Sequence, residues 1–326
     1  MTGAEAGVFR LNFFDLGETR LALNAPFWRG VSVRPAAECA RALQPLPSGG
    51  GLALFEDACS LAPGVLMTAE SVVIAESLIH SEQTARFGSF RRHGGGLKAR
   101  LWPLTPMRRF KGDFIVLRMA GDGDYARWLI ELLPRVAIAA QFCDLSQFQI
   151  AVSRGSEKMR AVVRDSLGLF GVAPDRIVAL GAAPVFLQRS VCPFADAAPS
   201  PDALEVLESF PLRLPASADA PKRIFVASDL PDALRDLGFS ALDPAAMPFA
   251  QRVQAFAQAE IVVGPAGAHL ANVVFAPRGV RVLALTGAGD DLSLLRAVTA
   301  LKQGPLKTLD PDQSARLPAA LDEWIA

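Results

Sequence analysis

The stretch AEIVVGPAGAHLANVVFAP, residues 259–277, decides the fold. The run 260–263, bounded by Gly264, reads as a strand buried on both faces of a sheet. Gly264, Pro265, Ala266 and Gly267 turn the chain with no large side chain in the way. A helix then begins near Gly267, running through Ala268 and His269 to Phe275, and Pro277 and Gly279 end it ahead of another strand at 280–285. The first N–H groups of such a helix have no acceptor within it. They carry partial positive charge and point outward, which suits an anion such as a phosphate. Glycine in the turn lets a ligand come close to the backbone. A plain crossover turn with no ligand fits the same spacing. His269 and Asn272, three apart on one helical face in an apolar stretch, need polar partners, either a ligand or a neighbouring loop.

Working outward, strands and helices alternate. Residues 114–119, 148–152 and 175–180 read as strands, with helices at 125–142 and 156–170 between them. Pro134 inside the first helix implies a kink or a join. A second alternation follows: strands near 223–227, 239–242 and 260–263, and helices near 231–237 and 248–257. This order implies α/β units with parallel sheets. Upstream, 51–55 and 71–79 read as strands and the basic, glycine-rich 91–96 as a loop. The proline-rich segment 193–221 contains a helix at 201–210, and its end reads as the linker between two domains, 1–212 and 213–326. The last stretch, 311–325, reads as an amphipathic helix that packs back on the first domain.

Bulk composition narrows the function. Of 326 residues, 51% are hydrophobic and 20% charged, which excludes a disordered chain. Lys plus Arg and Asp plus Glu both number 33, so no excess of positive charge points to nucleic acid. Cys39, Cys59, Cys143 and Cys192 are widely spaced, without a CxxC pair, against a zinc ribbon or a disulfide framework. His80, His93 and His269 are too scattered for a histidine metal site, so no metal is expected. The N-terminus lacks a secretory leader and no apolar run reaches membrane-spanning length, which makes the cytoplasm the expected compartment.

A second constellation is GDGDYARWLIELLPRV, residues 121–136. Tyr125 is the single tyrosine of the chain, against 20 phenylalanines. Arg127, Glu131 and Arg135 recur every four residues, as they would in a surface salt-bridge ladder or along a functional stripe. Asp122-Gly-Asp124 imitates a metal-binding carboxylate pair, and Gly121-x-Gly123-x-x-Ala126 imitates a dinucleotide fingerprint. The fingerprint would make the protein an NADP-type oxidoreductase. Its two loop carboxylates would repel a pyrophosphate, and Ser153 and Arg154 stand where an acidic residue is expected.

The two constellations, in this order and about 140 residues apart, resemble glycosyltransferase family 61. That family carries a motif like N-Y-x-H-W-L-x-[DE]-x-L-P-R-L and a later one like A-x-V-I-V-G-P-H-G-A-x-L-x-N-x-x-F-x-P. Here the first reads DYARWLIELLPRV from Asp124, and the second is the stretch quoted above. The resemblance implies two Rossmann-like domains in a GT-B-like architecture and transfer of a sugar from a nucleotide sugar to a glycan hydroxyl, often in polysaccharide biosynthesis. No cofactor beyond the nucleotide-sugar co-substrate is expected. It places the donor on the C-terminal domain, at Gly264, Pro265, Ala266, Gly267, Ala268, His269 and Asn272, with Ser228, Arg252 and Tyr125. It places Glu131, His269 and Arg127 at the chemistry. The chain departs from the pattern at four places. Arg127 and Ala266 replace histidines, Ser228 replaces an arginine, and Gln251-Arg252 replaces a Glu-Gln pair. Arg127 stays protonated and cannot act as a base, so the same residues also describe an inactive relative that binds a nucleotide, glycan or protein.

Overall fold

The computed structural model describes residues 12–16, 19–23, 32–45, 51–61, 64–68, 72–78, 90–93, 96–99, 106–119, 121–194, 201–215 and 220–325. His80, residues 71 and 79 of the expected strand 71–79, and parts of the proline-rich segment lie outside them. The chain divides into two compact units. One comprises residues 1–123, 135–160 and 171–196, the other 124–134, 161–170 and 197–326.

The first unit holds a mixed sheet. Its strands are β1 (Asn12–Leu16), β2 (Thr19–Leu23), β3 (Ser32–Arg34), β4 (Ala42–Pro45), β5 (Gly51–Leu61), β6 (Val65–Met67) and β7 (Val72–Ile74). A separate hairpin of β8 (Phe90–His93) and β9 (Gly96–Ala99) occupies the segment expected to be a loop. The sheet continues with β10 (Pro106–Leu117), β11 (Gln149–Ser153), β12 (Ile177–Leu180) and β13 (Val185–Phe194). The four strands β12, β11, β10 and β13 run parallel in that order, as the β-α-β-α spacing predicts. β13 then pairs antiparallel with β5, which extends the sheet into an antiparallel part. Pro193 is tolerated inside β13 because the ladder with β10 ends at Val191, before its missing N–H is needed. Phe55, Phe114, Val116, Ala151, Leu187 and Phe194 build the core.

The second unit holds an all-parallel sheet of β14 (Arg223–Phe225), β15 (Ser240–Ala241), β16 (Ile261–Pro265), β17 (Arg281–Leu285) and β18 (Leu306–Leu309). Their order is β15-β14-β16-β17-β18. The chain leaves β14 toward β15 on one side and returns to β16 on the other, so the winding reverses between β14 and β16. Ligands of open α/β sheets bind beyond the carboxyl ends of the strands at such a reversal. The central strands are apolar on both faces. Val263, Phe225 and Leu283 pack with Leu234 and Phe239, while Ile224, Val262 and Val282 are also fully buried. The C-terminal helix Leu317–Ile325, expected against the first domain, contributes Leu317, Leu321 and Trp324 to the core of its own unit.

Candidate active site

Residues 124–134 of the constellation 121–136, and the whole of the stretch 259–277, belong to the second unit, while residues 121–123, 135 and 136 belong to the first. Asp124 caps the helix of that constellation. Its carboxylate accepts the Arg127 N–H at 3.0 Å, an N-cap that fixes where the helix begins. One turn of α-helix (Tyr125–Arg127) gives way to a π-turn (Trp128–Leu132) and then to α-helix again (Leu133–Phe142). The cause is Pro134, which has no N–H and whose ring would strike the carbonyl four residues back in an α-helix. Widening the preceding turn relieves both problems. Trp128 is buried, and its indole N–H donates to Ser166 Oγ at 3.0 Å.

The expected polar stripe is not a solvent-exposed ladder. Glu131 is buried and Arg127 half-buried, their side chains 3.3 Å apart. Arg135, also buried, lies past the π-turn in the other unit, where it donates to the Pro193 carbonyl. The π-turn breaks the four-residue spacing that would have aligned the three.

Tyr125 is buried, and its hydroxyl donates to Asn272 Oδ1 at 2.5 Å. Asn272, fully buried, returns its amide to the His269 carbonyl at 2.7 Å. Asn272 therefore meets its polar partner in a neighbouring segment of protein, the second of the two possibilities open from sequence. The His269 ring lies 5.7 Å from the Tyr125 ring. The Arg252 guanidinium sits 5.2 Å from the centre of the same tyrosine ring, and its Nε donates to the Met247 carbonyl at 2.9 Å. Burial pushes the Tyr125 phenol up to about 12, against the opposing charge of Arg252, so the hydroxyl keeps its proton at neutral pH and remains a donor. Tyr125, Arg252, His269 and Asn272 thus form one cluster.

The turn itself differs from its reading in two ways. The helix after it is a 3-10 helix, Ala268–Phe275, whose first bond runs from Leu270 N–H to the Gly267 carbonyl at 3.1 Å. Leu270 to Phe275 are all buried, and Phe275 packs edge-on to Phe249. The two glycines have opposite roles. A Cβ at Gly264 would lie 2.7 Å from Val226 Cβ, so this glycine lets β16 pass close to the end of β14. A Cβ at Gly267 would meet nothing within 4 Å. Gly267 is exposed, as is Pro265, while Ala266, Ala268 and His269 are half-buried. The Ala266 N–H is already held by the Leu285 carbonyl at 2.7 Å. Ser228 is exposed in the bend beyond β14, at the same carboxyl edge. Arg118, Asp122 and Ser153, described below, form a polar network that sequence reading missed, because their contacts span 31 and 35 residues.

Together these features define an α/β chain whose second unit opens a small-residue turn at the carboxyl edge of a parallel sheet. Residues 125–283 match the family model of glycosyltransferase 61, a stretch that opens at Tyr125 and closes inside β17. Over that stretch the chain is similar to glycosyltransferase family 61, and the match supports a family 61 glycosyltransferase in general terms. No curated protein matches the chain. Among the described residues no helix is long and apolar enough to cross a membrane.

Proposed function

We propose that the chain transfers a sugar from a nucleotide sugar to a hydroxyl of a glycan acceptor in polysaccharide biosynthesis, within a GT-B-like, two-domain architecture. In this reading the donor diphosphate lies against the turn 264–269, beyond β14 and β16. The observation that carries it is the open space beside Gly267 at the reversal of winding, where a parallel sheet offers its strand ends and a helix its first N–H groups. Ser228 and His269 lie on the loops bordering that edge. Arg252 supplies a buried positive charge behind Tyr125, and Arg127 a second one that balances the leaving diphosphate. Glu131 is the carboxylate available for base work, which requires its release from Arg127 toward an acceptor hydroxyl. No cofactor beyond the co-substrate enters this scheme, and none of its steps calls on a metal.

Gly267→Asp tests the donor site. The added side chain enters open space, so the thermal midpoint stays within about 2 °C of wild type, equivalent to a surface substitution. Its carboxylate repels phosphate, so calorimetric titration shows UDP affinity falling at least about tenfold, a loss of ~1.4 kcal/mol. Equal affinity in the two proteins would falsify the assignment.

A second reading, a relative that binds without turnover, is favoured by one observation: Glu131 is buried against Arg127 rather than exposed. Hydrolysis or transfer across a panel of nucleotide sugars separates the two. Binding with no turnover of any donor supports the second.

A further inference from the structure

The first unit contains a cavity that the reading above does not use. Arg118, Arg135, Glu76, Ser77, Met119 and Cys192 are among its lining residues, and its interior is small, about 20 Å³ of space open to water-sized groups. Arg118 follows directly on β10 and is buried. A guanidinium has five N–H donors. Arg118 spends three of them on Ser153 Oγ (3.0 Å), Ser60 Oγ (2.8 Å) and the Gly181 carbonyl (3.1 Å), all neutral acceptors. Among the described residues no carboxylate pairs with it directly. Asp122 is reached through the Ser153 hydroxyl, which donates to it at 2.5 Å. Burial also pushes the Asp122 carboxyl upward, which weakens it as a counter-charge. The only carboxylate in the cavity lining named here, Glu76, is turned to the Ala36 N–H, which donates to both of its oxygens at 2.8–2.9 Å.

A buried guanidinium without a direct anionic partner is costly, and two unused donors in a planar fork match the two oxygens of a carboxylate. We propose that this cavity is a binding site for a carboxylate, presented end-on by a larger molecule such as an acidic sugar. Arg118 receives the carboxylate, and Arg135, also in the lining, adds a second positive charge. The planar, singly charged group suits the narrow interior, and the open mouth leaves the rest of the molecule outside.

The test is a titration of the full chain with sodium glucuronate, sodium acetate or sodium phosphate, read as the thermal midpoint and referenced to sodium chloride at equal ionic strength. Both carboxylates raise the midpoint saturably, and phosphate does not exceed chloride. Arg118→Met abolishes the response. Because Arg118 also bonds three neighbours, this variant risks misfolding, so Cys192→Leu provides the second arm. It fills the cavity while leaving Arg118 in place, and weakens the apparent glucuronate affinity at least tenfold. Carboxylates no better than chloride, phosphate matching glucuronate, or a full glucuronate response in Cys192→Leu would each overturn the proposal.

Discussion

Single residues in this protein are settled by partners far along the chain. Tyr125 and Asn272 are 147 positions apart, yet the hydroxyl of one completes the amide of the other. The sequence showed that Asn272 needed a partner but offered two kinds. Only the long-range packing of Tyr125 decides between them, and no local pattern encodes that. Tyr125→Phe keeps the ring beside Arg252 and His269 but leaves Asn272 Oδ1 buried without the Tyr125 hydroxyl. The expected cost is about 1–3 kcal/mol in urea unfolding, the penalty for an unpaired buried acceptor. A change below ~0.5 kcal/mol would show that the bond contributes little.

At the level of elements, hydrophobic spacing made the strands legible. Apolar runs at 114–117, 177–180, 261–263 and 282–285 all fall inside strands. Other elements were hidden by local composition. β13 ends in the proline-rich segment, and its strand character depends on β10 and β5 lying on either side of it. The hairpin β8–β9 was masked by glycines that looked like loop. The helix after the turn was legible as a helix, but not as 3-10, since its Ala, Leu, Val and Phe spacing fits both. Gly264 gives the sharpest example. It was read as making room for a ligand, whereas its missing Cβ makes room for Val226. Gly264→Ala is therefore expected to destabilise by about 1–3 kcal/mol through overpacking. Gly267, two steps past β16, should tolerate the same change. Chemical denaturation of the alanine pair checks this, and equal midpoints would remove the distinction.

On the scale of the whole molecule, the division into two units was legible only in outline. The alternation of elements announced two α/β bodies. It could not announce that residues 124–134 and 161–170 would join the second one, because that depends on contacts such as Trp128 with Ser166. One charge cluster ties the second unit together. Fully buried Lys302 donates to the Ala276 carbonyl, at the end of the 3-10 helix, and to Glu208 at 3.1 Å; Arg278 reaches the same carboxylate. Burial alone would raise the Glu208 carboxyl, but Arg278 and Lys302 outweigh it and hold it below its ordinary value. As pH falls the unfolded chain binds this proton first. The contribution is therefore complete above the ordinary carboxylate range and lost as pH falls through it to the lowered folded value. Glu208→Gln should cost about 1.5–3 kcal/mol at pH 7, typical of hydrogen bonds to charged groups. The deficit should shrink on acidification, measured by urea unfolding at pH 7 and below pH 4. A deficit independent of pH would mean the carboxylate's charge is not what matters.

The π-turn at Trp128–Leu132 is an α-helix holding one residue too many. One extra residue turns everything after it by about 100° around the helix axis. The polypeptide 125–142 therefore runs in two angular phases. Tyr125 and Trp128 are buried in the first phase, and Val136 and Ala139 in the second. The stretch before Pro134 and the stretch after it thereby each keep their own angular frame.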